Sequence, residues 1–180
     1  QFEAMAAEYE RPIYLLCLRM MGNREDAQDC AQEALLRAFR AFDRFRDGAS
    51  PKTWLYRIAY NTCIDELRRR RGVVSLDTLR EGGFDVPDAK AERAYEQLEH
   101  KERCELVKQA MEQLPEDQRA ALVLREFQQL SYEEIANALQ QPEGTIKSRI
   151  NRAREKVKNF VRQAEQNGRP SVKENEGRQK

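Results

Sequence analysis

The sequence predicts an all-α protein made of two small helical domains joined by a flexible linker. Three observations carry this reading. Charged residues make up 35% of the 180-residue chain and aromatic residues only 8%, a balance typical of helix bundles rather than strand-rich domains. Apolar residues recur at helical spacing in two blocks, 1–73 and 95–165. Between them, 74–94 carries Gly82-Gly83, Pro87, mixed charge and no sustained period, and reads as the linker.

Each helix has its own signals. The first places Phe2, Met5, Ala6, Tyr9, Ile13, Leu16 and Cys17 on one face. Pro12 should kink or restart it, and Gly22-Asn23 should stop it. The second starts at Asn23, a capping residue, with Glu25 and Asp26 suited to the positive end of the helix dipole. Its inner stripe reads Ala27, Cys30, Ala31, Ala34, Leu35, Ala38, Phe39 and Phe42. After the loop "FRDGA", Ser50 and Pro51 open a third helix. Leu55, Ile58, Ala59, Thr62, Cys63 and Leu67 line its inner face, and Arg68 to Arg71 end it. In the second block, Leu98, Cys104, Leu106, Val107, Met111 and Leu114 mark one helix. Pro115 opens another through Leu122, Val123 and Phe127. The tail 166–180 has no apolar residue except Val172 and is expected to be disordered.

Composition narrows the function. A formal net charge of +1 gives the molecule little general attraction for polyanions, so any nucleic-acid affinity must be local. The four cysteines show no metal-ligand spacing, and Cys17 and Cys30 sit among apolar residues as buried thiols would. The sole histidine, His100, lies in a polar stretch and reads as a surface residue. No cofactor or metal is expected. The longest apolar run, "IYLLCLRMM", is short for a membrane span and broken by Arg19. No signal-peptide pattern opens the chain, although Gln1 suggests a trimmed start, and a cytoplasmic, reducing location is expected.

The stretch "SYEEIANALQQPEGTIKSRINRAREKVKNF", 131–160, changes its chemistry halfway. Ser131 and Glu134 form a capping box before a short helix whose Ile135, Ala136 and Leu139 face inward. "QQPEG" breaks it. From Thr145 onward the chain carries Lys147, Arg149, Arg152, Arg154, Lys156 and Lys158 against Glu155 alone, while Ile146, Ile150, Ala153 and Val157 form one stripe. This is the pattern of a helix-turn-helix: a bracing helix that packs, then a cationic helix able to neutralise phosphates and read base edges. An ordinary helical hairpin with a solvated basic face is the competing reading.

A second cluster, "SPKTWLYRIAYNTCIDELRRRRG", joins aromatic residues to a basic helix end. Unstacked bases need flat partners and cations for the backbone, and the loop 46–49 could house an extruded base. A core tryptophan with a solvated arginine run fits the composition equally well.

The segments "GNREDAQDCAQEALLRAFRAFDRFR", "TWLYRIAYNTCIDELRRRR" and "LPEDQRAALVLREFQQLSYEEIANALQQPEGTIKSRINRARE" resemble, in order and spacing, the signatures of extracytoplasmic-function sigma factors of the sigma-70 family. The resemblance covers 8–158 apart from the linker interior. It implies a sigma-2-like domain over 1–73 and a sigma-4-like domain over 95–165, in a promoter-specificity subunit without catalysis of its own. The implied partners are core RNA polymerase (clamp helices and flap), promoter DNA and an anti-sigma factor, often membrane-anchored. On the second helix, Asp26, Asp29, Gln32, Glu33, Arg37 and Arg40 would face the polymerase clamp. Arg46, Asp47, Ser50, Lys52, Trp54, Tyr56, Arg57, Tyr60, Asn61, Asp65 and Arg68, Arg69, Arg70, Arg71 would receive the −10 element. Gly144, Thr145, Lys147, Ser148, Arg149, Asn151, Arg152 and Arg154 would hold the −35 element. Between 76 and 103, five basic and eight acidic residues make an acidic linker, which resembles the segment that runs through the polymerase's RNA exit path. Primary sigma factors carry two adjacent tryptophans where this chain has Trp54-Leu55, and a further domain in place of the short linker; both departures fit the minimal, alternative type.

Two other functions compete. A stand-alone helix-turn-helix regulator would need a ligand cavity or dimerisation helix in the first block, where the sequence offers polar, partner-facing surface. A nucleic-acid enzyme would need an acid–base or metal cluster, and the sequence supplies neither.

Overall fold

The computed structural model describes residues 2–45, 50–71 and 101–167 with their side chains, and the backbone of 72–73, 94–100 and 168. The first block packs α1 (Phe2–Met21), α2 (Arg24–Ala41) and α3 (Pro51–Val73) against one another, with a 3-10 turn at Phe42–Arg44. The second packs α4 (Ala94–Glu112), α5 (Glu116–Glu126), α6 (Tyr132–Leu139) and α7 (Glu143–Gly168). No strand occurs among the described residues. The all-α expectation holds.

The helix ends follow the residues that signal them. Asn23 caps α2, its side-chain oxygen accepting from the Asp26 N–H at 2.9 Å. The Ser50 hydroxyl, just before the first helical residue Pro51, accepts from the Thr53 N–H at 3.3 Å. Ser131 and Glu134 close a full capping box: the Glu134 N–H donates to the hydroxyl at 3.1 Å, and the Ser131 N–H to the carboxylate at 2.7 Å. Gln140 ends α6 in the left-handed region at φ 52. α7 begins at Glu143 rather than Thr145, because the Pro142 carbonyl already accepts from the N–H groups of Thr145 and Ile146. Gly22 separates α1 from α2 at φ +82, and a Cβ there would lie 3.3 Å from a Glu112 carboxylate oxygen.

Small side chains bring α2 close to its neighbours. Ala27, Ala31, Ala34 and Ala38 are all buried, and Cys17, Cys30 and Cys63 meet beside them. The Cys63 thiol donates to the Cys17 sulfur at 3.6 Å. Hydrogen bonding within the trio, then burial, pushes the Cys30 and Cys63 thiols up, so both stay protonated and act as small packing groups.

Several expectations need correction. α1 runs unbroken through Pro12. Phe39 was placed on the inner stripe but is 63% exposed; it lies at the end of α2, where its ring meets Phe2 edge-on at 5.3 Å. Cys104 is exposed. Tyr56 and Ile64 join the core of α3. Helix continues through 166–168, where disorder was expected. The linker interior 74–93, the rest of the tail, 169–180, and the His100 side chain lie outside the described residues.

The two blocks touch through α1–α5 and α3–α6 contacts, and their buried apolar residues form one continuous cluster. At the join, the Arg119 guanidinium donates to the carbonyls of Met20 at 2.8 Å, Glu112 at 2.6 Å and Leu114 at 3.2 Å.

Stability tests of the helix-turn-helix follow from this packing. Ile146→Ala empties a fully buried site and should cost about 2–5 kcal/mol. Ser131→Ala removes only the cap and should cost about 1 kcal/mol. Urea unfolding of both variants should give that order.

Candidate nucleic-acid and polymerase interface

α2 buries one face and presents the other. Asp29, Gln32, Leu36, Phe39 and Arg40 are exposed and follow helical spacing along a single ridge. Leu36, at 49% exposure, and Phe39 give that ridge apolar contact points among polar ones. Glu33 and Arg37 flank it as an ion pair at 2.9 Å, and Arg37 also reaches Asp65 on α3 at 2.7 Å. The Asp65 hydrogen bond, then that of Glu33, holds the Arg37 pKa up. Asp26 is drawn inward instead, bonded to the side chains of Asn23 and Arg70. The ridge therefore includes Asp29, Gln32 and Arg40 as expected, and adds Leu36 and Phe39. Helical spacing from Asp29 and Gln32 was the signal that could have found Leu36.

The α3 face is turned toward the second block. Tyr56 is 3% exposed and its hydroxyl donates to the Gln128 amide oxygen at 2.8 Å. Burial pushes this phenol up to about 12. Lys52 Nζ lies 3.3 Å from Glu134, and Arg71 pairs with Glu116. Trp54 packs on Phe45, centroids 4.8 Å apart, and lines a cleft of about 600 Å³ with Arg57, Asn137, Gln140 and Pro142. Tyr60 is half-buried, and burial raises its pKa. Asn61 and Arg68 are exposed, and Ser50 is exposed at the helix start. Arg69 and Arg70 both bond Glu66, with the Arg69 Nε at 2.8 Å. The arginine run thus includes ion pairs with the chain's own acids. Arg46 and Asp47 lie outside the described residues.

α7 divides more cleanly. Ile146, Ile150 and Ala153 are fully buried, whereas Gly144, Lys147, Asn151 and Arg152 are exposed. A Cβ on Gly144 would meet nothing within 4 Å. Thr145 and Ser148 are half-buried. Lys147 sits 5.6 Å from the Tyr132 ring centroid. Arg149 pairs with Asp117 at 3.0 Å and Arg154 with Glu126, so these two cations brace α7 on α5 in this conformation. Behind them, Val107, Met111, Leu122, Phe127 and Val157 line an apolar groove of about 270 Å³.

Among the described residues no group of His, Cys, Asp or Glu is arranged to hold a metal ion. No helix among them is long and apolar enough to cross a membrane.

A polar face on a small-residue helix, an aromatic-basic helix and a helix-turn-helix occur in the order of one family. Residues 5–73 match sigma-70 region 2 and residues 104–157 match sigma-70 region 4. The RNA polymerase sigma-H factor of Pseudomonas aeruginosa is 42% identical over 165 residues, 87% of this chain and 83% of that protein. The chain belongs to the sigma-70 family, in its extracytoplasmic-function group. The ECF RNA polymerase sigma factor SigW of Bacillus subtilis is 34% identical over 165 residues, 86% of this chain and 85% of that one. The sigma factor RpoE of Bartonella quintana, solved in complex with the anti-sigma factor NepR, superposes with a TM-score of 0.71 at 26% identity, covering 89% of this chain and 96% of that one. As a sigma factor the protein binds core RNA polymerase, recognises −10 and −35 promoter elements and directs initiation; it is not an enzyme.

Two carboxylates of this sigma factor are held ionised. The Arg69 hydrogen bond, with Arg70 behind it, keeps Glu66 below the usual carboxylate range, and the Ser131 N–H, then Lys52, does the same for Glu134. A depressed folded-state pKa adds stability above the unfolded value and loses it as pH falls through the folded value. Urea midpoints should therefore drop below about pH 4, and a Glu66→Gln/Glu134→Gln variant should show a shallower drop from a lower start.

Proposed function

We propose that the exposed α2 ridge is the clamp-facing surface, with Asp29, Gln32, Glu33 and Arg40 flanking Leu36 and Phe39, while Asp26 and Arg37 orient it through Arg70 and Asp65. The α3 face from Ser50 to Arg71, with the adjoining Arg46 and Asp47, takes the −10 element. Aromatic rings there suit unstacked bases, and the arginines suit the backbone. The start of α7 reads the −35 duplex. The single observation that supports this assignment best is the division of α7, whose apolar stripe is fully buried while Lys147, Asn151 and Arg152 stand in solvent. Arg149 and Arg154 take phosphates once they leave Asp117 and Glu126. The apolar groove beside Phe127 fits an amphipathic helix, and we assign it to the polymerase flap.

The sigma factor works in the cytoplasm and is held off by an anti-sigma factor, in some cells at the membrane. That inhibitor wraps both blocks and covers the ridge around Asp29 and Glu33. The structural likeness to a sigma factor solved with NepR supports this reading.

Two experiments test these assignments. Lys147→Ala and Arg152→Ala should each cost about 1–3 kcal/mol of upstream-element recognition. They should leave polymerase binding unchanged, and equal losses on native and scrambled upstream elements would refute the reading role. Inhibitor binding should fall as core polymerase is titrated in, and a stable ternary complex would contradict a shared ridge.

A further inference from the structure

We propose that Tyr132 is a positioning residue for −35 reading, its ring holding Lys147 in the orientation from which it reaches a base edge. This inference rests on the reading role given to Lys147 above. Tyr132 is the first helical residue of α6, and the Ser131–Glu134 capping box fixes the backbone on which it stands. Its ring packs half-buried against the core, which makes it a fixed surface. Two cations converge on it from the helices on either side. The Arg125 guanidinium, from the last turn of α5, lies 4.9 Å from the ring centroid, and Lys147 Nζ, from the start of α7, lies 5.6 Å from it. Both are inside the roughly 6 Å over which a cation is attracted to an aromatic face.

The two cations are not equivalent. Arg125 is tethered: its Nη1 donates to the Leu130 carbonyl at 2.8 Å, and Leu130 is fully buried. It therefore acts as a clamp on the ring. Arg149 and Arg154, on the same helix as Lys147, are held by Asp117 and Glu126. Among the described residues, the Tyr132 ring takes the place of such a carboxylate beside Lys147. Lysine carries its charge on a flexible four-carbon stem with rotating donors, so a base edge must select one arrangement from many. A ring face narrows that choice without neutralising the ammonium, and it adds no carboxylate that a base would have to displace. The contact is weak enough at an exposed site to be exchanged for a base. The buried Ile146 and Ile150 aim the helix, and Tyr132 aims the side chain.

The test uses holoenzyme assembled with core RNA polymerase on promoter templates carrying a randomised −35 element, so that transcript yield reports base preference at each position. Tyr132→Leu keeps an apolar side chain on the core and removes the ring; Tyr132→Met serves in its place if leucine disturbs α6. The variant should flatten preference by about two- to five-fold at the positions that Lys147→Ala flattens, with unchanged helical circular dichroism. Tyr132→Phe keeps the ring and should retain the preference. The Tyr132→Leu/Lys147→Ala double variant should be no worse than Lys147→Ala alone, because the ring acts through the lysine. Additive losses would overturn the proposal. So would an equal loss on every −35 sequence, the mark of general packing or phosphate contact, or a loss shared by Tyr132→Phe. A second readout needs no DNA. A ring face shifts nearby protons upfield in NMR spectra, so in the full free chain the Lys147 ε-methylene signals should lie upfield and move back in Tyr132→Leu. Signals that stay in place would show that the ring does not hold Lys147. If they move but Lys147→Ala leaves base preference unaltered, the reading role of Lys147 fails and the proposal with it, although the ring contact stands.

Discussion

One buried cation joins the two blocks at the ends of two helices. Arg119, 8% exposed, lies where α1 and α4 both end. The last carbonyls of a helix have no partner within it, and they carry the negative end of its dipole. The planar guanidinium meets two of them, from Met20 in one block and Glu112 in the other, and the Leu114 carbonyl in the turn after α4. Burial pulls its pKa down, yet an arginine stays charged. Its Nε has no hydrogen-bond partner, a cost that the three carbonyl bonds offset. Lysine has no such fork and could not span two helix ends in the same plane. Gly22 belongs to the same join: a side chain there would press on Glu112, on the helix whose end Arg119 caps.

Around that join each helix divides its two faces by size and charge. On α2 the inward alanines permit close approach to α1 and α3, and this close approach fixes the direction of the outward ridge. A larger inward residue would push α2 off its neighbours and shift Leu36 and Phe39 with it. On α7 the branched Ile146 and Ile150 are fully buried, which locks the helix rotation and so aims Lys147 and Arg152. The faces proposed for recognition are thus aimed by packing on the opposite side.

The helices, their caps and most inner stripes were legible because each rests on local chemistry: Asn23, Ser50 and Ser131 cap within three residues of themselves. The capping box and the buried stripe of the helix-turn-helix appear as the spacing implies. What was not legible is non-local. Nothing in the spacing of α3 says that Tyr56 will meet Gln128 across 72 positions, or that Arg119 will reach back to Met20. Phe39 was misplaced because helical periodicity assigns a face but cannot tell where a bundle ends and its inner stripe runs out into solvent. The arginine run at 68–71 read as free charge, since its pairing with Asp26 and Glu116 depends on how the bundle and the second block close.

That pairing also explains how a chain of net charge +1 can serve nucleic acid. Cations assigned to DNA are matched here by the chain's own acids: Lys52 by Glu134, Arg71 by Glu116, Arg149 by Asp117 and Arg154 by Glu126. Engaging a phosphate therefore exchanges one anion for another, and each freed carboxylate takes up a solvent cation as the DNA releases one. The net gain per contact is smaller than for a cation already free. Binding must then be gathered from several surfaces presented at once. Of the four pairs, Lys52–Glu134 and Arg71–Glu116 join the two blocks, so separating the blocks would free those two cations, whereas Arg149 and Arg154 are paired within the second block.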